Sequence, residues 1–156
     1  PAYLNAMQRR HELSRPMKVV VDCGNGAAAV AAPEALMLMG CDVVPLFLDV
    51  DGRFPNHAPD PADPDTLHDL RVTVRDVNAD LGLAFDGDGD RLGVVLPDGE
   101  LVYPDLLLKA GGAGSPLFFG EECYGFGDAT LAAARLLGLL SRHPGSAADF
   151  FAQTDL

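Results

Sequence analysis

Lys18-Val-Val-Val-Asp-Cys-Gly-Asn-Gly26 joins an unbroken β-branched run to a turn built on two glycines. A strand without polar alternation is buried on both faces, as in a parallel sheet covered by helices. The Ala-rich segment Ala27 to Met39, closed by Gly40, reads as the helix that follows, and Pro33 inside it predicts a kink or break. Asp42 to Leu48 reads as a second strand. Asp65 to Asn78 carries Leu67, Leu70, Val74 and Val77 at helical spacing, with Asp65 placed to cap it. Asp80 to Phe85 is a third strand. Leu92 to Leu96, the turn Pro97-Asp98-Gly99 and Glu100 to Tyr103 form a hairpin. This order predicts an α/β fold, a doubly wound and mainly parallel sheet with an edge hairpin, as one domain plus a short helical C-terminal remnant.

Outward from that core the chain divides into three parts. Residues 1–15 read as a lead-in helix, with Leu4, Met7 and Gln8 on one face, broken by Arg15-Pro16. Residues 16–105 form the main domain. Within it, Asp49 to Pro64 carries Pro55, Pro59, Pro61 and Pro64 and reads as a long loop, a length often kept for function. Residues 106–156 change character at Lys109-Ala-Gly-Gly-Ala-Gly-Ser-Pro116. They then offer a helix from Asp128 to Ser141, with Leu131, Ala134, Leu137 and Leu140 on one face, and a frayed tail from Arg142.

The 156 residues carry 11 Lys+Arg against 23 Asp+Glu, a net charge of −12. Asp42 to Asp98 alone contributes −9, from thirteen Asp and four Arg. Such a balance argues against nucleic acid or an anionic membrane surface as partner, since phosphates call for a basic face. No apolar run reaches the roughly 18–20 residues of a membrane span, and Pro1 to Arg15 lacks the pattern of a secretory signal. Starting at Pro1 suggests that the natural beginning lies upstream. Cys23, Cys41 and Cys123 have no metal-ligand spacing and read as reduced thiols, consistent with a cytoplasmic protein.

Asp86-Gly-Asp-Gly-Asp-Arg91, between two apolar strands, is the strongest chemical signal. Glycine alternation lets three carboxylates converge, and three hard oxygen donors suit Mg²⁺ or Ca²⁺. The competing reading is an acidic surface turn, but turns seldom need three alternating acids. An EF-hand fails, because Arg91 and Pro97 stand where Gly and Glu are required. A haloacid-dehalogenase-type phosphatase with Asp86 as nucleophile is a weaker alternative, as Asp90 departs from its motif. Gly24-Asn-Gly-Ala-Ala-Ala29 reads first as a tight strand-to-helix turn and second as a relaxed dinucleotide fingerprint, with Asp49 as ribose acid. His57 reads first as a solvated loop residue and second as a ligand or base. Cys23, before a helix N-terminus, reads first as a small buried residue and second as a reactive thiol.

Three segments together resemble the α-D-phosphohexomutases, closest to the bacterial phosphomannomutase/phosphoglucomutase type, in their second domain: Lys18 to Gly26, Asp51-Gly-Arg-Phe-Pro-Asn-His57, and Ala79 to Val95. The resemblance favours the structural reading of the Gly24–Gly26 turn over the dinucleotide one. It implies reversible transfer of phosphate between O1 and O6 of a hexose, through a phosphoserine enzyme and a bisphosphate intermediate. It also implies Mg²⁺ held by Asp86, Asp88 and Asp90, Arg91 at the phosphate or sugar, a phosphohexose substrate, and the remaining mutase domains as partners. The family's Thr-Ala-Ser-His-Asn-Pro motif does not occur around Ser14, Ser115, Ser141 or Ser146. Gly112, Gly114 and Pro116 stand where the family's sugar loop has Glu, Ser and His, so residues 106–156 resemble a partial third domain. The resulting expectation is a fragment inactive alone, its last helix poorly anchored for want of strand partners. A non-catalytic Mg²⁺-binding or regulatory remnant and a Mg²⁺-dependent phosphatase using Asp86 are the alternatives.

Overall fold

The valine run sits at the centre of the molecule. A computed structural model describes residues 2–102 and 128–153. In it β1 (Met17–Asp22) pairs in parallel with β2 (Cys41–Leu46) on one side and with β3 (Leu81–Phe85) on the other. Beyond β3 the direction reverses: β4 (Leu92–Val95) and β5 (Leu101–Val102) pair antiparallel, giving the order β2-β1-β3-β4-β5. The expected sheet and edge hairpin are both present, in a mixed five-stranded α/β arrangement.

Side chains alternate along each strand, so the same run feeds two cores. Val19, Val21, Leu81, Leu83 and Phe85 face one layer; Val20, Ala84 and Val95 face the other. The first layer is covered by α1 (Ala2–Arg10), α2 (Ala32–Leu38) and α4 (Ala129–Arg142). The second is covered by α3 (His68–Asp76) through Leu70 and Val74. A β carbon on Gly82 would lie 2.6 Å from Val74 Cγ2, so α3 sits on β3 at a distance only glycine permits.

One expected helix break is present, and two helix boundaries differ from the sequence reading. The Ala27–Met39 segment breaks, as Pro33 predicts, into a 3₁₀ turn (Ala27–Val30) and α2. The cap before α3 is Asp63, whose carboxylate accepts the Asp65 N–H at 3.0 Å and starts a 3₁₀ turn (Pro64–Leu67) leading into the helix. Pro64 has no N–H to satisfy and suits that first position, which moves the start one step ahead of Asp65. The lead-in helix stops at Arg10, short of Ser14, whose backbone N–H instead binds Ser141 Oγ at 3.0 Å.

The C-terminal helix departs most from expectation. Far from poorly anchored, α4 buries Leu131, Leu136, Leu137 and Leu140 together with Ala129, Ala132, Ala133 and Ala134. It packs on β4 and α2 in the larger core. Its small residues allow close approach to the sheet, and the buried face anchors it there. Asp128 caps it by accepting the Leu131 N–H at 3.1 Å and is itself held by Tyr3 Oη–H at 2.7 Å. The expected frayed tail contains a further helix, α5 (Ala147–Gln153), opened by reciprocal Ser146–Asp149 hydrogen bonds. No described helix is long and apolar enough to cross a membrane.

Candidate metal centre

The acidic hexapeptide closes the turn between β3 and β4. Strand pairing runs up to Phe85 and Leu92, and the Asp86 N–H reaches the Arg91 carbonyl at 3.3 Å, so residues 86–91 are pinched at both ends. Gly89 takes φ +75°, where a side chain would be strained, and this lets the loop fold back. Asp86, Asp88 and Asp90 each present a carboxylate oxygen within 4.8 Å of the others, with Asp86 buried and the other two exposed. The loop thus brings together all three acids singled out from the sequence.

Asp86 is the keystone of the loop. Its Oδ1 accepts the backbone N–H groups of Asp90 (2.9 Å) and Arg91 (3.1 Å), and its Oδ2 accepts Arg91 Nε–H at 2.9 Å. Burial alone would raise its pKa, but hydrogen bonds from the Asp90 side chain, the Arg91 backbone and the Arg91 guanidinium outweigh it and bring it down to about 2. Asp90 moves the other way, to about 6, chiefly because it shares a hydrogen bond with ionised Asp86, then through desolvation and the neighbouring Asp88. Below about pH 6, in the absence of a cation, the cluster relieves its own repulsion by keeping a proton on Asp90. Arg91 is oriented by Asp86 yet keeps 59% of its side chain exposed, with Nη1 3.8 Å from Asp60 Oδ1.

Hard oxygen donors crowded closely enough to raise the proton affinity of one of their number fit Mg²⁺, which binds through carboxylates and fills its remaining positions with water or phosphate oxygen. Among the described residues, this is the one group of His, Cys, Asp or Glu side chains with such convergence.

Two other segments wall the loop in. The Gly24-Asn25 turn takes left-handed conformations at φ +54° and +60°, and its next residue lies against the acidic loop. A β carbon on Gly26 would sit 2.9 Å from the Gly87 carbonyl, while the Ala27 N–H donates to that same carbonyl at 3.1 Å. This contact leaves no room for a pyrophosphate, so the fingerprint Gly24-x-Gly26 is a packing turn. On the opposite side, Phe54 and Pro59 would lie 3.2 and 3.3 Å from a β carbon on Gly87, and Pro61 2.8 Å from one on Gly93. The long Pro-rich loop therefore folds over the acidic loop.

Of the residues that tie these walls together, Asn25 carried no chemical role in the sequence reading, and His57 carried one only as a second reading. Buried Asn25 is a hub: its N–H donates to Phe47 O (2.9 Å), its carbonyl accepts from Asp51 N–H (2.9 Å), its Nδ2 donates to Asp49 O (2.8 Å), and its Oδ1 accepts from Asn56 Nδ2 (2.8 Å). The available clue was an asparagine between two glycines, since Asn tolerates the left-handed region better than most residues. His57 is neither solvated nor near the acidic cluster as a ligand; its Nε2 lies 2.9 Å from Oδ2 of buried Asp22. Cys23 is a small core residue, its thiol pushed up to about 12 by burial and by Asp22, which removes the reactive reading. Gly112, Gly114, Pro116 and Cys123 lie outside the described residues.

Residues 1–99 match the family described as phosphoglucomutase/phosphomannomutase, alpha/beta/alpha domain II. A phosphomannomutase/phosphoglucomutase of Pseudomonas aeruginosa is 45% identical over 152 residues, covering 93% of this chain and 31% of that protein. A phosphoglucomutase of Neisseria meningitidis is 48% identical over 103 residues, 66% of this chain and 22% of the other. The crystal structure of a phosphoglucomutase/phosphomannomutase family protein from Burkholderia thailandensis matches with a TM-score of 0.87 at 32% identity, over 97% of this chain and 45% of that one. The chain thus spans 31% of the length of its Pseudomonas relative. With that match running through four of the five strands and the whole acidic loop, the chain belongs to the phosphoglucomutase/phosphomannomutase family.

Proposed function

We propose that this chain is the Mg²⁺-loop portion of a cytoplasmic phosphohexomutase, an enzyme that moves phosphate between O1 and O6 of a hexose through a phosphoserine and a bisphosphate intermediate. The observation that carries the proposal is the convergence of Asp86, Asp88 and Asp90, with Arg91 fixed beside them by Asp86. The family assignment supplies the reaction class.

In this reading the three carboxylates hold Mg²⁺, and Arg91 contacts the phosphate or sugar. When bound, the ion supplies charge neutralisation at a transferring phosphoryl group. Arg91 adds a guanidinium whose direction is set in advance, because its Nε–H is committed to Asp86 while the rest of the group stays exposed. Asp86 supports both tasks: it shapes the loop through two backbone N–H groups and aims the arginine. Since both its oxygens already accept hydrogen bonds, it suits ligation and scaffolding better than nucleophilic attack, which weighs against the phosphatase alternative.

The serine that would carry the phosphate has no counterpart motif in residues 1–156. The proposal therefore assigns turnover to an assembly with the other mutase domains. Pure 156-residue chain, given glucose 1-phosphate or mannose 1-phosphate with glucose 1,6-bisphosphate and Mg²⁺, is expected to bind the ion and show no mutase activity. Measurable turnover would overturn the fragment reading, and phosphate release from a generic aryl phosphate, abolished by Asp86→Asn, would replace it with the phosphatase.

A further inference from the structure

Asp22 and His57 are a buried pair that the proposed chemistry does not use. Asp22 ends β1 with only 1% of its surface exposed, its Oδ1 accepting the Gly24 N–H at 2.8 Å. Its Oδ2 meets His57 Nε2 at 2.9 Å, while His57 Nδ1 lies 2.7 Å from the Ala58 carbonyl oxygen. A carbonyl oxygen can only accept, so Nδ1 carries a hydrogen. One further proton then sits in the Nε2–Oδ2 contact, on whichever partner, and the pair as a whole is neutral. Neutrality lets a carboxyl group reside where a lone carboxylate would pay a large desolvation cost.

The pair also fastens something. The segment from Phe47 to Pro61 carries two aromatic residues in left-handed conformation, Phe47 at φ +56° and Phe54 at φ +47°. Each such residue is strained and persists only where its surroundings hold it. Phe47 packs edge-on against the His57 ring, with centroids 5.3 Å apart, and Phe54 contacts Gly87 of the acidic loop. His57 Cε1 and Pro59 lie at 3.4 and 3.5 Å from where a β carbon on Gly24 would be. The long loop is thus fixed at Asn56–Asn25 and His57–Asp22, and it presses on the acidic loop on either side of those two points, through Phe54 before them and Pro59 after them.

We propose that His57 and Asp22 are positioning residues for the acidic loop: their single-proton bond clamps the Pro-rich segment against Gly87 and so presets Asp86, Asp88 and Asp90 for the cation. This rests on the Mg²⁺ reading of those acids. The clamp acts through contact alone, since His57 faces Asp22, Ala58, Phe47 and the Gly24 turn and none of the three acids.

The test uses the full 156-residue chain. Amide hydrogen exchange at Ala27, Gly89, Asp90 and Arg91 is measured without metal, and Mg²⁺ affinity by calorimetry, for wild type, His57→Ala and Asp22→Asn. In His57→Ala the four amides are expected to exchange on the order of 10-fold faster, with β1 and β3 amides unchanged. The Mg²⁺ dissociation constant should rise on the order of 10-fold, the low end of what outer-shell partners of metal sites contribute. Asp22→Asn is expected to stay within about twofold of wild type in both readouts: its amide oxygen still accepts the Gly24 N–H, and its N–H donates to Nε2 of the Nδ1–H tautomer. Nitrogen-15 spectra of the His57 ring should show a protonated Nδ1 in both proteins. Folded His57→Ala with unchanged exchange and unchanged affinity would overturn the clamp, as would an Asp22→Asn protein as impaired as His57→Ala. If wild type takes up no Mg²⁺, the metal reading fails and the exchange data alone judge the clamp. Should His57→Ala not fold, Asn56→Ala, which removes only an exposed side chain's bond to Asn25, takes its place with the same expected and contrary results.

Discussion

Asp90 is the residue at which the cluster's electrostatics become measurable. Its carboxyl titrates near 6 in the metal-free chain, against 3.8 for an ordinary aspartate. Because the raised pKa means the folded chain holds this proton between those two values, a cation must displace it there. Mg²⁺ affinity is therefore expected to be weak below about pH 6 and to rise to a plateau above it, as followed by calorimetry across pH. Asp90→Asn should lose that pH dependence together with most of the affinity. Asp86→Asn is more damaging. An amide oxygen can still accept hydrogen bonds, but the charge that aims Arg91 is gone, so loss of Mg²⁺ uptake should come with faster exchange at the Asp90 and Arg91 amides.

At the scale of elements, one contact that shapes the site is made by groups almost without side chains. Gly26 abuts Gly87, and a methyl group there would lie 2.9 Å from a backbone carbonyl, which cannot swing aside. Gly26→Ala should push the acidic loop outward, lowering Mg²⁺ affinity with a smaller effect on thermal stability. Gly82→Ala separates the two effects: its methyl group would meet Val74 at 2.6 Å in the α3–β3 interface, remote from the acids. It should cost ~1–3 kcal/mol of stability by overpacking and leave affinity unchanged in the folded protein. In α4, Leu137→Ala should cost ~2–5 kcal/mol, read by denaturant unfolding, since Leu137 has no exposed surface. A poorly anchored helix would tolerate that change almost without loss.

These elements also mark what the sequence could and could not tell. The Val19–Val21 run and the strand-helix alternation were legible because burial on both sheet faces leaves a continuous apolar stretch. The three acids were legible because glycine alternation is a local pattern. The anchoring of α4 was not, because it depends on which sheet face lies open, and no property of residues 129–142 alone encodes that. The hub at Asn25 and the Asp22–His57 pair were hidden for a related reason. Each partner is an ordinary loop or turn residue until the fold brings positions 31 and 35 residues apart into hydrogen-bonding distance.

At the scale of the molecule, the fold divides labour between its two ends. The larger core, shared by α1, α2 and α4, makes a rigid support, and the turns at the β1 and β3 carboxyl ends, with the Pro-rich loop, carry the polar groups. Ligand sites of open α/β sheets commonly lie at the carboxyl ends of their strands. The match to 31% of a Pseudomonas phosphomannomutase/phosphoglucomutase places that end of the sheet within a larger enzyme in the relative. The decisive experiment is a calorimetric titration of Mg²⁺ into the 156-residue chain at neutral pH, beside Asp88→Asn and Asp90→Asn. Uptake of one equivalent by wild type, abolished or weakened at least tenfold in both variants, is the predicted result. No uptake, or uptake that both variants retain unchanged, would contradict the assignment of this loop as a metal centre.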